Sequence, residues 1–242
     1  MSDNEQKYER ERVMERVKYS SERMKEVISR YYNQEETDRI INKSLEEVEK
    51  FIPILPYLGE KENMFVGDFF DSLLHLGLYN VLVKEGSTAR DVGKFVYEIM
   101  ELRYSRYYSN MSKLKKFLFT RKLFSASNRE RFNGMIDAMN EKNYPNNWIM
   151  EYVDGDKKTF NWGIDVHQCA IHKFYLENGG KELAPYICLQ DFAMYQENKK
   201  IGFWRTKTLA GGGDFCDFRL KKGEPTPKGW PPETLEEWIE ST

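Results

Sequence analysis

The sequence predicts an α+β protein, in which a helical first half precedes a small antiparallel sheet with helices on one face. Up to residue 143, apolar side chains recur at the three- and four-residue spacing of helices that bury one side. From residue 147 onward, short segments rich in β-branched and aromatic residues alternate with turn sequences, as strands do. Helical spacing returns between these segments, which gives the expected order β-β-α-α-β-β.

The helical region is expected to span residues 1–143. Its helices are predicted over residues 11–31, 34–52, 63–83, 88–102, 111–125 and 128–143. The third is apolar on more than one side, which predicts a buried central helix with His75 as a core residue. The fourth begins at a capping-box sequence, Thr88 to Asp91. The fifth mixes Lys and Arg with Leu and Phe, and we interpret it as a helix with a solvated basic face.

The α+β module is expected to span residues 144–242 and to form one integrated domain with the helical region. Strands are predicted over residues 148–153, 159–166, 201–209 and 214–221, and helices over 168–177 and 181–198. The tail is Pro-rich and then amphipathic, so we expect it to dock Trp230 and Trp238 onto the body of the protein.

Composition excludes several classes of protein. The 242 residues carry a net charge of −2 and a pI of about 6.1, so the basic footprint of a nucleic-acid-binding protein is missing. The longest uncharged apolar stretch, residues 72–83, is too short to cross a bilayer, and the N-terminus has no apolar leader. We therefore expect a cytoplasmic protein. Its three cysteines are an odd number, which argues against a disulfide framework.

Three short segments carry residues with chemical potential. Cys169-Ala-Ile-His172 and Cys188-Leu-Gln-Asp191 each place a thiol and a second polar group on one face of a helix. The third, Gly211-Gly-Gly-Asp-Phe-Cys-Asp-Phe-Arg219, follows a turn into a strand. Strand alternation predicts one face with Asp214, Cys216 and Phe218 and another with Phe215, Asp217 and Arg219.

Two mechanisms could use these groups. A cysteine thiolate could attack an electrophilic carbon, with His or Asp as its base and the Gly211–Gly213 amides receiving negative charge. Alternatively, Cys, His and Asp could bind zinc or another divalent metal, although this spacing is not that of a standard zinc site, and no cofactor is otherwise expected. Buried core cysteines and an ordinary glycine turn are the simpler interpretation that both mechanisms compete with.

The segments Glu182–Asp191 and Arg205–Arg219 resemble the signature of the L-2-amino-thiazoline-4-carboxylate hydrolase family. The family also has a cysteine between a strand and a helix, as Cys169 is here. The resemblance covers residues 145–222 and implies a hydrolase that opens a C–N bond of a small cyclic amidine or thiazoline-like carboxylate. Candidate catalytic residues are Cys169, His172, Cys188, Asp191, Asp214 and Cys216, and candidate substrate-binding residues are Arg205, Gly212, Gly213, Asp217 and Arg219.

We expect the three cysteines, Asp191 and Asp214 to converge on one pocket, with Arg205 or Arg219 near its mouth for a substrate carboxylate. Cys216 is the favoured nucleophile, because it follows the glycine turn and lies on a strand.

Two alternatives to a hydrolase remain open. A more distant likeness to 4-vinyl-reductase-like domains implies a non-catalytic module that binds a small molecule. The apolar stripe of residues 11–31 could instead make this a helical interaction protein, and it could also support a homodimer. The expected partner is a small molecule with a carboxylate, and neither nucleic acid nor a membrane is expected.

Overall fold

The structure is a computed structural model that describes residues 7–60, 63–142 and 144–231. The helices of the first half are α1 (Arg10–Ile28), α2 (Gln34–Phe51), α3 (Val66–Val83), α4 (Ala89–Ser109), α5 (Lys113–Leu123) and α6 (Ala126–Lys142), with a short 3-10 turn at Ile52–Ile54. The described part of residues 10–143 contains no strand, so the prediction of a helical first half is confirmed.

Two helices begin at capping boxes that satisfy their first free amides. The Asn33 side chain accepts the Glu36 amide at 2.9 Å at the start of α2. At α4, the Asp91 amide donates to the Thr88 hydroxyl at 3.2 Å, and the Thr88 amide donates back to Asp91 at 2.9 Å. The start predicted for α4 is therefore the start observed.

Helix α3 is the buried centre of the helical region, as its apolar sequence predicted. It packs against α1, α2, α4 and the later helix α7 (Ala170–Glu177). Gly77 allows the close approach of α2, because a side chain there would lie 2.5 Å from the Ser44 carbonyl. The apolar residues of α1, including Val13, Val17 and Met24, are buried in the same core.

The four strands are β1 (Ile149–Asp154), β2 (Trp162–Gln168), β3 (Ile201–Trp204) and β4 (Cys216–Lys222). They pair antiparallel in the order β1-β2-β4-β3. Strand β3 is shorter than the predicted 201–209, because the amides of Thr206 and Lys207 turn to the Asp217 side chain instead of the sheet.

The connection from β2 to β3 contains α7, α8 (Ala184–Cys188) and α9 (Gln190–Tyr195). The single helix predicted over 181–198 is wrong in this respect. Around Leu189 the hydrogen bonds tighten to three-residue spacing, from Leu189 to Tyr186 and from Phe192 to Leu189, which divides the segment.

The two faces of the sheet carry different side chains. The inner face packs against the helices and carries the cross-strand pairs Val166–Cys216, Ile164–Phe218 and Trp162–Leu220. The outer face carries Asp165 opposite Asp217 and Gly163 opposite Arg219. This alternation is the one predicted from the sequence of β4.

Three peripheral features complete the fold. Trp230 lies 5.2 Å from the Tyr97 ring on α4, whereas Trp238 lies outside the described residues. Helix α5 buries only Thr120 and exposes Leu114, Phe117 and Leu118. In the described part of the chain, no helix has the length and apolarity that a membrane crossing requires.

Candidate functional site

The three cysteines reach the same region from three element ends. Cys169 directly follows β2 and is the N-cap of α7, Cys188 is the last residue of α8, and Cys216 is the first residue of β4. Burial raises the pKa of Cys188 well above its ordinary value, Arg205 opposes this effect, and Cys216 and Cys169 add to it. The Cys188 thiol therefore interacts electrostatically with both of the other cysteines.

Cys216 is the most enclosed of the three thiols, with 5% of the residue exposed. Burial raises its pKa to about 12, and the Leu209 amide partly opposes the shift by donating to Sγ at 3.2 Å. A thiol with this pKa is neutral at physiological pH, and its lone pair is already engaged by a backbone donor.

Cys169 is partly exposed and has the most donors directed at its sulfur. Burial raises its pKa, while the backbone amides of His172 and Ile171 and the indole of Trp148 lower it. The Cys169 side chain makes no capping hydrogen bond of standard geometry at the start of α7. The first amides of a helix favour negative charge at this position.

Asp191 and Arg205 form an ion pair beside the thiols, with Nη1 of Arg205 3.0 Å from Oδ2 of Asp191. The Arg205 side chain is 0% exposed and lies over the Phe192 and Phe218 rings, at 5.5 and 5.6 Å from their centroids. The Asp191 side chain is 25% exposed. Arg205 is thus buried behind the site, not at its mouth as the sequence suggested.

We call Cys169, Cys188, Cys216, Asp191 and Arg205 the thiol cluster. Besides the effects of burial, Asp191 raises the pKa of all three cysteines, and Arg205 lowers those of Cys188 and Cys216. Cys169 and Cys188 are partly exposed residues, whereas Cys216 is buried. The structure therefore brings together five of the residues that sequence analysis selected.

Two of the other candidates lie apart from the thiol cluster. Asp214 is exposed, and its carboxylate lies 2.6 Å from the Lys207 ammonium. Arg219 lies on the outer face, where Nη1 is 2.7 Å from Asp165 and donates to the carbonyls of Ile164 and Phe218. The sheet separates Arg219 from Cys216.

Asp217 organises the loop between β3 and β4. Its carboxylate accepts the amides of Thr206 and Lys207 and the hydroxyl of Thr206, each at 2.8 Å. These hydrogen bonds stabilise the reversal of chain direction between β3 and β4. The Asp217 side chain lies on the outer face of the sheet.

The glycine turn is closed by its own hydrogen bonds. The amides of Gly211 and Gly213 donate to the side chain and carbonyl of Thr208 at 2.9 and 2.8 Å, and that of Gly212 to the Leu209 carbonyl at 3.2 Å. Gly212 has φ of +88°, a conformation that favours glycine. The three amides stabilise the turn, so the expected anion-binding role conflicts with this geometry.

The histidines contribute little to the thiol cluster. His172 is half-buried, and burial lowers its pKa, but it acts on Cys169 through its backbone amide. His167 is exposed, with Nε2 3.6 Å from Glu151. Among the described residues, no three His, Cys, Asp or Glu side chains are placed to hold a metal ion.

Sequence analysis missed two aromatic neighbours of the thiols. The Tyr175 hydroxyl donates to the Ser72 carbonyl at 2.7 Å, and burial raises its pKa, to which Cys188 and Cys169 add. Trp148 directs its indole at Cys169. The register of the β1–β2 hairpin was the available signal, because Ile149 pairs with Gln168 and the preceding Trp148 then lies beside Cys169.

A scan against family models matches residues 73–220 to L-2-amino-thiazoline-4-carboxylic acid hydrolase. The matched segment runs from α3 to β4 and contains every residue of the thiol cluster. No curated protein and no solved structure was found to match the chain.

Proposed function

The chain belongs to the L-2-amino-thiazoline-4-carboxylic acid hydrolase family, and we propose that it opens a C–N bond of a small cyclic amidine carrying a carboxylate. The observation that carries this proposal is the position of Cys169. Cys169 is a partly exposed residue at the N-terminus of a helix, inside the matched segment and within a cluster that contains a carboxylate.

Cys169, rather than Cys216, is the nucleophile in this proposal. Cys216 is almost inaccessible and already accepts a backbone hydrogen bond. Cys169 is a more exposed residue than Cys216, and two helix amides and an indole stabilise negative charge on its sulfur. Burial still raises its pKa, so the resting thiol keeps its proton.

A protonated thiol suits an amidine substrate, because the amidine is itself a base. The Sγ proton passes to the ring nitrogen as Sγ of Cys169 bonds to the amidine carbon. The ring C–N bond then breaks: the departing nitrogen takes a proton from the exocyclic amine, and a C=N bond forms in its place. Water adds to this carbon and displaces the thiol, which regains its proton and leaves a carbamoyl product.

Asp191 supplies the countercharge for the amidinium that exists when the ring nitrogen has received the proton and the Sγ–C bond is not yet complete. A planar amidinium binds a carboxylate as a guanidinium does. Arg205 is a positioning residue, since it lies wholly buried and holds Asp191 by the 3.0 Å ion pair.

A second candidate function is binding without catalysis. It is favoured by the raised pKa of all three thiols and by the aromatic neighbours Trp148 and Tyr175. The third candidate, an interaction protein that uses residues 11–31, has no comparable support, because that apolar stripe is buried within its own chain.

The test uses the full chain with 2-amino-thiazoline-4-carboxylate and product detection by mass spectrometry. We expect Cys169→Ser to lower kcat at least about a thousandfold while Tm stays near that of the wild type. Cys216→Ser is the matched control, since it replaces a thiol of the same cluster that touches no substrate. Acid quenching should trap a substrate-derived mass increment on the peptide containing Cys169.

Three outcomes separate the candidates. Turnover that survives in folded Cys169→Ala would remove Cys169 as the nucleophile. Loss of turnover in Cys216→Ser with normal turnover in Cys169→Ser would return the assignment to Cys216. Saturable binding of the amidine without any product would support the binding module instead.

A further inference from the structure

A concave site lies between α1 and α4, outside the thiol cluster. Its volume is about 610 Å³, within the range of small-molecule sites. Its lining includes Arg16, Tyr19, Arg23, Arg103, Tyr104 and Arg106. We call it the arginine–tyrosine cleft. Guanidinium groups and phenol rings together recognise ligands that are both anionic and planar.

Two of the four arginines are neutralised by partners. Arg16 forms a two-bond fork with Asp71, in which Nε lies 2.9 Å from Oδ1. Arg106 places Nη2 2.7 Å from both carboxylate oxygens of Glu26. A third carboxylate, Glu22, lines the rim of the cleft. The guanidinium hydrogen-bond donors available to a ligand are therefore those of Arg23 and Arg103.

Arg23 and Arg103 are weakly engaged among the described residues. Arg23 donates one hydrogen bond, to the Ser20 hydroxyl at 3.2 Å, and its buried Nε has no described hydrogen-bond partner. Arg103 forms two ion pairs through Nη1, 3.6 Å from Asp71 and 3.8 Å from Asp68, and both distances exceed that of a hydrogen bond. Both guanidinium groups retain donors for a ligand.

Both arginines lie near the buried side chain of His75. Burial lowers the pKa of His75 to about 4, Asp71 opposes the shift, and Arg103 and Arg23 add to it. Arg23 of α1 and Arg103 of α4 thus line one cleft and both act on His75 of α3, which stays neutral. An anion placed between the two arginines would be attracted by both.

Each of the two arginines lies beside a tyrosine. The Arg23 guanidinium is 5.1 Å from the Tyr19 ring centroid, and that of Arg103 is 5.5 Å from the Tyr104 ring centroid. The rings offer flat apolar surfaces next to the charges. Burial raises the pKa of Tyr104 to about 12, so its hydroxyl remains a hydrogen-bond donor.

We propose that the arginine–tyrosine cleft binds a small planar ring that carries an oxyanion, with the oxyanion held between Arg23 and Arg103 and the ring packed on Tyr19 or Tyr104. The oxyanion is a carboxylate or a phosphate, which share this fork chemistry.

The experiment titrates the full chain by calorimetry with benzoate, phenyl phosphate, phenol and inorganic phosphate. We expect the better of the two ring oxyanions to bind at least about tenfold more tightly than phenol or inorganic phosphate. The comparison of benzoate with phenyl phosphate decides between carboxylate and phosphate. Binding of phenol or inorganic phosphate as tight as that of both ring oxyanions would overturn the proposal, as would no binding of either.

Variants locate the site. Arg23→Gln and Arg103→Gln should each weaken binding at least about tenfold. Arg39→Gln, which removes a surface arginine paired with Glu85 instead, should not. Tyr19→Leu changes an exposed side chain and should weaken ring ligands but not inorganic phosphate. Unchanged affinity in Arg23→Gln, Arg103→Gln and Tyr19→Leu would overturn the proposal.

One further variant separates this site from the proposed active site. Cys169→Ser should leave the affinity for the ring oxyanion unchanged, because Cys169 does not line the cleft. If Cys169→Ser abolished binding while Arg23→Gln and Arg103→Gln retained it, the ligand would occupy the thiol cluster and the cleft proposal would be wrong.

Discussion

The two faces of β4 differ in what their side chains do, although the residues alternate within one short sequence. On the inner face, Cys216 joins Cys169 and Cys188 in the thiol cluster, next to the helices. On the outer face, Asp217 holds the preceding loop and Arg219 pairs with Asp165. Asp217 and Arg219, which the sequence predicted to bind substrate, therefore stabilise the structure, whereas the neighbouring Cys216 belongs to the candidate site.

This difference shows how a compact motif should be read. Successive residues of a strand point to opposite faces, so neighbouring polar residues in a strand motif cannot all reach one ligand. The alternation was visible in Asp214–Arg219 from the start. The prediction that residues on both faces of β4 line one site therefore conflicts with the geometry of a strand.

The largest expected loss of stability comes from the ion pair behind the inner face. Arg205→Met should lower the free energy of unfolding by about 3–5 kcal/mol, because it removes the guanidinium partner of Asp191 from a buried position. Urea denaturation measures the change, and Arg39→Met at the surface is the control. A change no larger than that of the control would mean that Arg205 contributes little to the inner face.

A smaller loss is expected on the outer face from Asp217→Ala. It leaves the amides of Thr206 and Lys207 without their acceptor, which should cost about 1–3 kcal/mol. Hydrogen exchange of these two amides should accelerate more than that of the Leu220 amide within β4. Equal acceleration throughout β4 would indicate that Asp217 supports the whole sheet and not only the loop.

On the inner face, Cys216 should make the stability of the protein decrease at alkaline pH. The pKa of Cys216 in the folded protein, about 12, is above the ordinary value of 9.0. The contribution of the protonated thiol to the free energy of unfolding is therefore complete below pH 9 and is lost as pH rises towards 12. Above pH 9, the wild type should lose about 1.4 kcal/mol per pH unit relative to Cys216→Ala. Parallel pH profiles of the two proteins would contradict this.

Much of the fold was predictable because it depends on local signals. The Thr88–Asp91 capping box fixed the start of α4, and the apolar sequence of α3 marked the central helix. The length of β3 was not predictable, because it depends on a contact between Thr206 and Asp217, which are 11 residues apart.

The candidate site was predictable in part for the same reason. The family resemblance selected the thiols, Asp191 and Arg205, which the fold brings together. Whether a thiol is accessible depends on packing from distant elements, so Cys216 could not be distinguished from Cys169 by sequence. The roles of Trp148 and Tyr175 likewise needed the register of β1 and the position of α7.

The smallest effect is expected from Asp214, the acid that precedes Cys216 by two residues. Asp214 is exposed and meets only Lys207 among the charged groups described near it, and exposed ion pairs contribute little to stability. Asp214→Asn should therefore leave Tm and the turnover of the cyclic amidine unchanged. Lys207 lowers the pKa of Asp214, so any effect of the pair should vanish at low pH and in high salt. A clear drop in kcat with normal Tm would show that Asp214 reaches the substrate, and the separation between the thiol cluster and the exposed turn would then be wrong.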